Sequence, residues 1–191
     1  MTARLILICH ASTAAIRGSC FPADEPLDEP GEADAAALAG RLPNAGRCLT
    51  GPELRTRQTA EALGLDAAVE PMLRDCGYGS WSGRSLAEVS AREPDAVAAW
   101  LRTPEATPHG GESLLSLMHR VRDWLRSEQA QQRSIAVTHS AIIRAAIVQA
   151  IGAPPQSFWR IDITPLSITR LSGEDGRWNL TSCGCTVPNL A

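Results

Sequence analysis

The chain has 191 residues, enough to bury one substantial core and short for two ordinary domains. Its composition, 44% hydrophobic and 20% charged, is that of a soluble globular protein, and a net charge of −3 gives no electrostatic reason to expect a nucleic-acid or membrane partner. All 18 basic residues are Arg, so every cationic contact is a guanidinium, a group suited to bidentate phosphate binding.

Arg4 to Cys9 (RLILIC) is a continuous aliphatic run, the pattern of a strand buried on both faces and too short for a signal-peptide core. A polar loop with Pro22, Pro26 and Pro30 follows. Glu32 to Leu42 predicts a helix that Pro43 and Asn44 stop. Arg47 to Thr50 predicts a second strand, Pro52 opens a helix through Leu63, and Ala67 to Val69 forms a brief third strand. Glu70 to Gly83, with its glycines, Tyr78 and Trp81, reads as a functional loop. Two short helices fill Leu86 to Leu101. The Pro/Gly-rich stretch Pro104 to Gly111 leads into an amphipathic helix from Glu112 to Gln129. Ser134 to Thr138 is a second fully buried strand and Ala141 to Ile151 a helix. The tail from Trp159 alternates and turns at Gly173 to Gly176, as antiparallel edge strands do. No stretch reaches the length of a membrane span, and the five Trp residues are expected in the core, which leaves the oligomeric state open. The six cysteines are scattered without zinc spacing, so reduced thiols in a cytoplasm are expected, with no metal and no cofactor.

The two most buried strands each end in a histidine, a small residue and a helix: LILIC-His10-Ala11-Ser12 and IAVT-His139-Ser140-Ala141. Ligands of open α/β sheets bind outside the carboxyl ends of strands, where helix N-termini favour anions. Side by side, such strands bring both imidazoles to one crevice. Arg55, in the first turn of the helix after the second strand, aims its fork at the same place. Arg57 lies about 200° further around that helix and faces solvent.

His10, PLDEPG at Pro26 to Gly31, LRTRQTA at Leu54 to Ala60, GGES at Gly110 to Ser113 and VTHSAIIR at Val137 to Arg144 stand in order along nearly the whole chain. In that combination the sequence resembles the histidine phosphatase superfamily, which includes the phosphoglycerate mutases. The resemblance implies a single α/β domain, a three-layer sandwich with a mostly parallel central sheet, with a lid or insert at about 77–110. It implies His10 as the nucleophile that accepts a phosphoryl group, His139 and Arg55 as stabilisers of that group, and Asp75 as the acid that protonates the leaving alcohol. An Asp starts near 3.9, so burial is expected to raise it. Thr13, Arg17 and Ser140 are expected to contact phosphate and Glu112 to orient the site. The partner implied is a small phosphorylated substrate or inorganic phosphate.

The family signature Arg-His-Gly stands here as Cys9-His10-Ala11. A thiol is a weak donor without charge. Three readings follow: Arg17 substitutes; the enzyme is slow or narrow; or the chain is a pseudo-phosphatase that binds a phosphorylated ligand or partner. Hydrolysis is favoured over mutase action because the chain lacks room for a mutase's insertions, and an ester such as α-ribazole phosphate is as compatible as a sugar or nucleotide ester. Cys9 is not itself a phosphatase nucleophile, since seven residues rather than five separate it from Arg17.

Overall fold

The structure, a computed structural model, describes residues 3–127, 133–174 and 176–185. Strands β1 (Ala3–Cys9), β2 (Arg47–Thr50), β3 (Ala68–Val69), β4 (Arg133–Thr138), β5 (Ile168–Glu174) and β6 (Arg177–Cys185) form one sheet in the order β3-β2-β4-β1-β5-β6. The first four are mutually parallel, and β5 and β6 close one edge as an antiparallel hairpin. The helices are α1 (Ala14–Arg17), α2 (Glu29–Ala36), α3 (Leu54–Ala62), α4 (Leu86–Arg92), α5 (Pro94–Arg102), α6 (Leu114–Ser127) and α7 (Ser140–Ile151). The end expected for the sixth helix, at Gln129, lies outside the described residues.

The period-2 alternation of β1 and β4 explains the three layers. Leu5, Leu7 and Cys9 of β1 and Ala136 of β4 face one way, into a core with Leu117, Val121 and Trp124 of α6 and Ile142, Ile143 and Ala146 of α7. Ile6, Ile8, Ile135 and Val137 face the other way, onto Ala60 and Leu63 at the end of α3. Both faces are therefore covered, as a continuous aliphatic run requires. Trp81, Trp124 and Trp178 are buried, and the Trp178 indole donates to the Leu125 carbonyl at 2.8 Å, which ties β6 to α6. No described helix is long and apolar enough to cross a membrane.

Three local readings need correction. The helix expected from Glu32 begins earlier, because Asp28 caps it by accepting from the Gly31 amide at 2.8 Å and Pro30 suits a first turn. It also ends earlier, since the chain turns after Ala36 toward Gly40 at φ +72°. The loop after His10 contains the short helix α1, and the tail's strand pattern begins at Ile168 rather than Trp159, since Trp159 and Arg160 close the 3-10 turn Pro155–Arg160. Gly31 of the PLDEPG stretch has a packing reason: a Cβ there would stand 2.3 Å from the Ser12 carbonyl oxygen. Its absence lets the start of α2 lie against the loop that follows His10, where Ser12 also donates to Asp28 at 3.0 Å.

Candidate active site

Cys9 and Thr138 are register partners on adjacent parallel strands, and the His10 amide continues the ladder to the Thr138 carbonyl at 2.9 Å. The next residues on the two strands, His10 and His139, are thereby neighbours, with ring centroids 5.2 Å apart and planes at 64°. Both are buried. His10 Nδ1 lies 2.8 Å from the Ala11 carbonyl oxygen. A carbonyl only accepts, so the proton sits on Nδ1 and Nε2 keeps the ring's lone pair. Burial pushes the His10 imidazole down to about 3, helped by the charges of His139 and Arg55, so it is neutral across the physiological range.

Arg55 stands in the first turn of α3 and is 1% exposed. Its Nη1 donates to the Ala23 carbonyl at 2.7 Å and its Nη2 to Asp75 Oδ2 at 2.7 Å, while its buried Nε has no hydrogen-bond partner. Asp75 Oδ2 also lies 3.4 Å from His139 Nδ1, another buried nitrogen without a hydrogen bond. Asp75 thus touches both Arg55 and His139, the two stabilising groups expected from sequence. Burial raises its carboxyl, as expected, but the charges of His139 and Arg55 outweigh burial and hold it below its ordinary value. Asp75 is therefore held as a carboxylate.

Sequence reasoning missed Glu53. It is the N-cap residue of α3, yet its side chain makes no capping bond. One carboxylate oxygen instead accepts from His139 Nε2 at 2.7 Å and the other from the Asp75 amide at 3.0 Å. Burial opposes its ionisation, but the His139 hydrogen bond and charge prevail and bring Glu53 down to about 2. Glu53 fixes the His139 ring and the Asp75 backbone together. Its position between Pro52 and Arg55 was the available signal, a carboxylate placed just before a site helix.

The remaining expectations divide. Ser140 lines a cavity of about 360 Å³ with Cys9, His10 and Asp75, whose other walls include Ile16, Phe21, Tyr78, Trp100 and Ile163. Thr13 is fully buried and caps α1, accepting from the Ile16 amide and donating to Glu25, both at 3.3 Å, and it does not line this cavity. Arg17 does not line it either: it is 54% exposed and paired with Asp28 at 3.1 Å, because α1 turns it outward. Glu112 precedes α6 rather than opening it, and it binds the buried Arg120 at 2.6 and 2.9 Å. Arg120 in turn donates to the carbonyls of Met72, Arg74 and Asp75, so Glu112 braces the loop that carries Asp75. Arg57 is exposed, as expected. Cys9 is buried, and burial above all pushes its thiol up to about 12, which rules out a thiolate nucleophile at neutral pH. His109, unassigned from sequence, is buried against Trp81 at a centroid distance of 5.0 Å and accepts from the Gly111 amide at 2.9 Å. The same turn leaves no room for a Cβ at Gly111, which would stand 2.0 Å from the Gly77 carbonyl oxygen.

The protonation of His10 has a consequence for folding. Unfolded, its imidazole titrates near 6.5; folded, it resists protonation down to about 3. The unfolded state alone binds that proton in between, so this contribution to stability is complete above the unfolded value and is lost as pH falls toward 3. At pH 5 the loss is roughly 2 kcal/mol. Urea midpoints at pH 7.5 and 5.0 are expected to show this drop in the native chain and most of it abolished in His10→Gln; equal drops in both would contradict the assignment.

The sequence matches the histidine phosphatase superfamily (branch 1) over residues 5–186. The bifunctional protein Rv2228c of Mycobacterium tuberculosis is 29% identical over 179 residues, 86% of this chain and 49% of that protein, so the chain spans about half the length of the mycobacterial relatives it matches in this group. Phosphoserine phosphatase 1 of Hydrogenobacter thermophilus is 28% identical over 186 residues, covering 91% of this chain and 88% of that one. The solved structure of mycobacterial glucosyl-3-phosphoglycerate phosphatase Rv2419c with VO3 superposes with a TM-score of 0.82 at 28% identity, over 96% of this chain and 99% of that one. Family match, mostly parallel sheet and paired strand-end histidines agree: the chain belongs to the histidine phosphatase superfamily, in its phosphoglycerate mutase-like branch.

Proposed function

We propose that this protein is a phosphomonoesterase that moves the phosphoryl group of a small phosphate ester first to His10 and then to water. The observation that carries the reading is the state of His10: neutral, with Nδ1–H held by the Ala11 carbonyl and Nε2 left as a lone pair beside His139. In the first step His10 Nε2 attacks phosphorus, the bond to the ester oxygen breaks, and Asp75 gives the leaving alcohol its proton. In the second, Asp75 takes a proton from water, whose oxygen attacks phosphorus and restores the lone pair of His10. Arg55 and His139 stabilise the charge on the transferring oxygens, and Ser140 adds a hydroxyl and the start of α7. Glu53 and Glu112 act as positioning residues for His139 and for the Asp75 loop.

The named activities of the two relatives, on phosphoserine and on glucosyl-3-phosphoglycerate, support a small phosphate monoester as substrate. The second was solved in complex with VO3, an oxyanion like the transferring phosphoryl group, which supports a phosphate ester as substrate. The segment 77–110 serves as the lid that selects the alcohol, since Tyr78, Leu86 and Trp100 wall the cavity beside His10. Six free cysteines suit a reducing compartment, and we assign the cytoplasm. The reaction so written needs no cofactor.

Incubation with ³²P-labelled phosphate esters and an alkaline quench is expected to trap an acid-labile label that maps to the His10 peptide. An unlabelled protein that binds inorganic phosphate but hydrolyses none of a broad ester panel would overturn the reading in favour of a non-catalytic binder.

A further inference from the structure

Cys9 leaves the end of β1 without the arginine of the family signature, and Arg17 is paired with Asp28 away from the cavity. Arg144 is placed to make up the loss. It stands one turn after Ser140 on α7, and residues four apart share a helix face. Helical side chains lean toward the N-terminus of their helix, so Arg144 is directed at the His139–Ser140 end. It lines the same cavity as Cys9, His10 and Ser140.

Its surroundings are unusual for a guanidinium. Arg144 lies over the Phe158 ring, 5.7 Å from the centroid, and its buried Nε has no hydrogen-bond partner. Among the described residues no carboxylate pairs with it, although the other cation deepest in the site, Arg55, is tied to Asp75. Cation–π stacking fixes the plane of the group without neutralising its charge. A rigid, uncompensated fork facing a cavity that holds a nucleophile is arranged for an anion.

Resting on the phosphatase reading above, we propose that Arg144 supplies from α7 the guanidinium contact to the transferring phosphoryl group that Cys9 cannot supply from β1. The contact is to the group being transferred, not to a second anionic substituent on the alcohol. p-Nitrophenyl phosphate, which carries no second anion, therefore reports on it.

Arg144→Ala is expected to lower kcat/KM for p-nitrophenyl phosphate by about 10²–10³-fold, mostly in kcat, the size of losing one donor to transition-state charge. It is also expected to weaken calorimetric binding of inorganic phosphate at least ~10-fold. Arg144→Lys should recover part of the loss, and added methylguanidinium should partly rescue the Ala variant and leave the native protein unaffected. Thermal melting confirms that each variant is folded. Native values for phosphate binding and p-nitrophenyl phosphate hydrolysis in Arg144→Ala would overturn the proposal and assign Arg144 to packing or to a remote anion. A native protein that neither labels nor hydrolyses would overturn the phosphatase reading instead; the phosphate-binding comparison still decides whether Arg144 holds the anion.

Discussion

His10→Gln is expected to reduce hydrolysis of every phosphate ester by about 10⁴-fold or more and to abolish the trapped phosphoenzyme, with the site's affinity for inorganic phosphate largely intact. The size follows from what the residue provides. Without Nε2 the two displacements on phosphorus collapse into one direct attack by water, which no other side chain here can replace. The Cys9 thiol is buried and pushed up to about 12, Asp75 is committed to Arg55, and His139 Nε2 is bound to Glu53 at 2.7 Å. Affinity survives because phosphate is held by cations, and Arg55 reaches the site from α3 independently of β1. Gln preserves a donor for the Ala11 carbonyl, so the loop after β1 need not rearrange. Single-turnover kinetics with calorimetry of phosphate binding separate the two quantities. Retention of a labelled enzyme in His10→Gln would move the nucleophile elsewhere, and loss of phosphate affinity equal to the loss of rate would make His10 a binding group.

What could be read from the sequence depended on the distance over which each feature is determined. The layers were legible because burial on both faces of β1 and β4 is written in consecutive residues, Leu5 to Cys9 and Ser134 to Thr138. The meeting of His10 and His139 required one further step, the adjacency of the two strands, and the register of Cys9 with Thr138 supplies it. Arg55 followed from its place in the first turn of a helix. Other features depend on contacts between remote segments. Glu53 meets His139 across 86 positions, so its place just before a site helix marks a carboxylate there but does not show which ring it holds. Arg144 is informative only once the rotational phase of α7 against β1 is known. Arg17 looked available because nothing in the sequence pairs it with Asp28. The charge of Asp75 ran opposite to the expectation from burial alone, because the Coulombic contribution comes from α3 and from the end of β4.

That charge state leads to the second large effect. In single-turnover kinetics, Asp75→Asn is expected to slow phosphorylation of the enzyme by alkyl phosphates by about 10²–10⁴-fold but by p-nitrophenyl phosphate by less than about 10-fold, because nitrophenolate leaves without a proton. The native carboxylate is held ionised by His139 and Arg55 against its burial. A bound phosphate dianion reverses that balance. It places negative charge beside Asp75 and competes for the Arg55 fork now 2.7 Å from Oδ2, and both changes raise the carboxyl. Asp75 is thus armed as an acid by the substrate it serves, and its donation to the leaving alcohol itself leaves the carboxylate that accepts a proton from water in the second step. Activity of the native enzyme on alkyl esters should fall on the alkaline side as this proton is lost, with no matching fall for the Asn variant. His10 adds no acid limb above about pH 4, since it is neutral down to about 3. The Asp75→Asn side chain still offers an oxygen to the Cys76 amide, so the loop keeps its local bond. A loss of equal size for good and poor leaving groups would contradict proton donation and reduce Asp75 to a residue that positions Arg55 and His139.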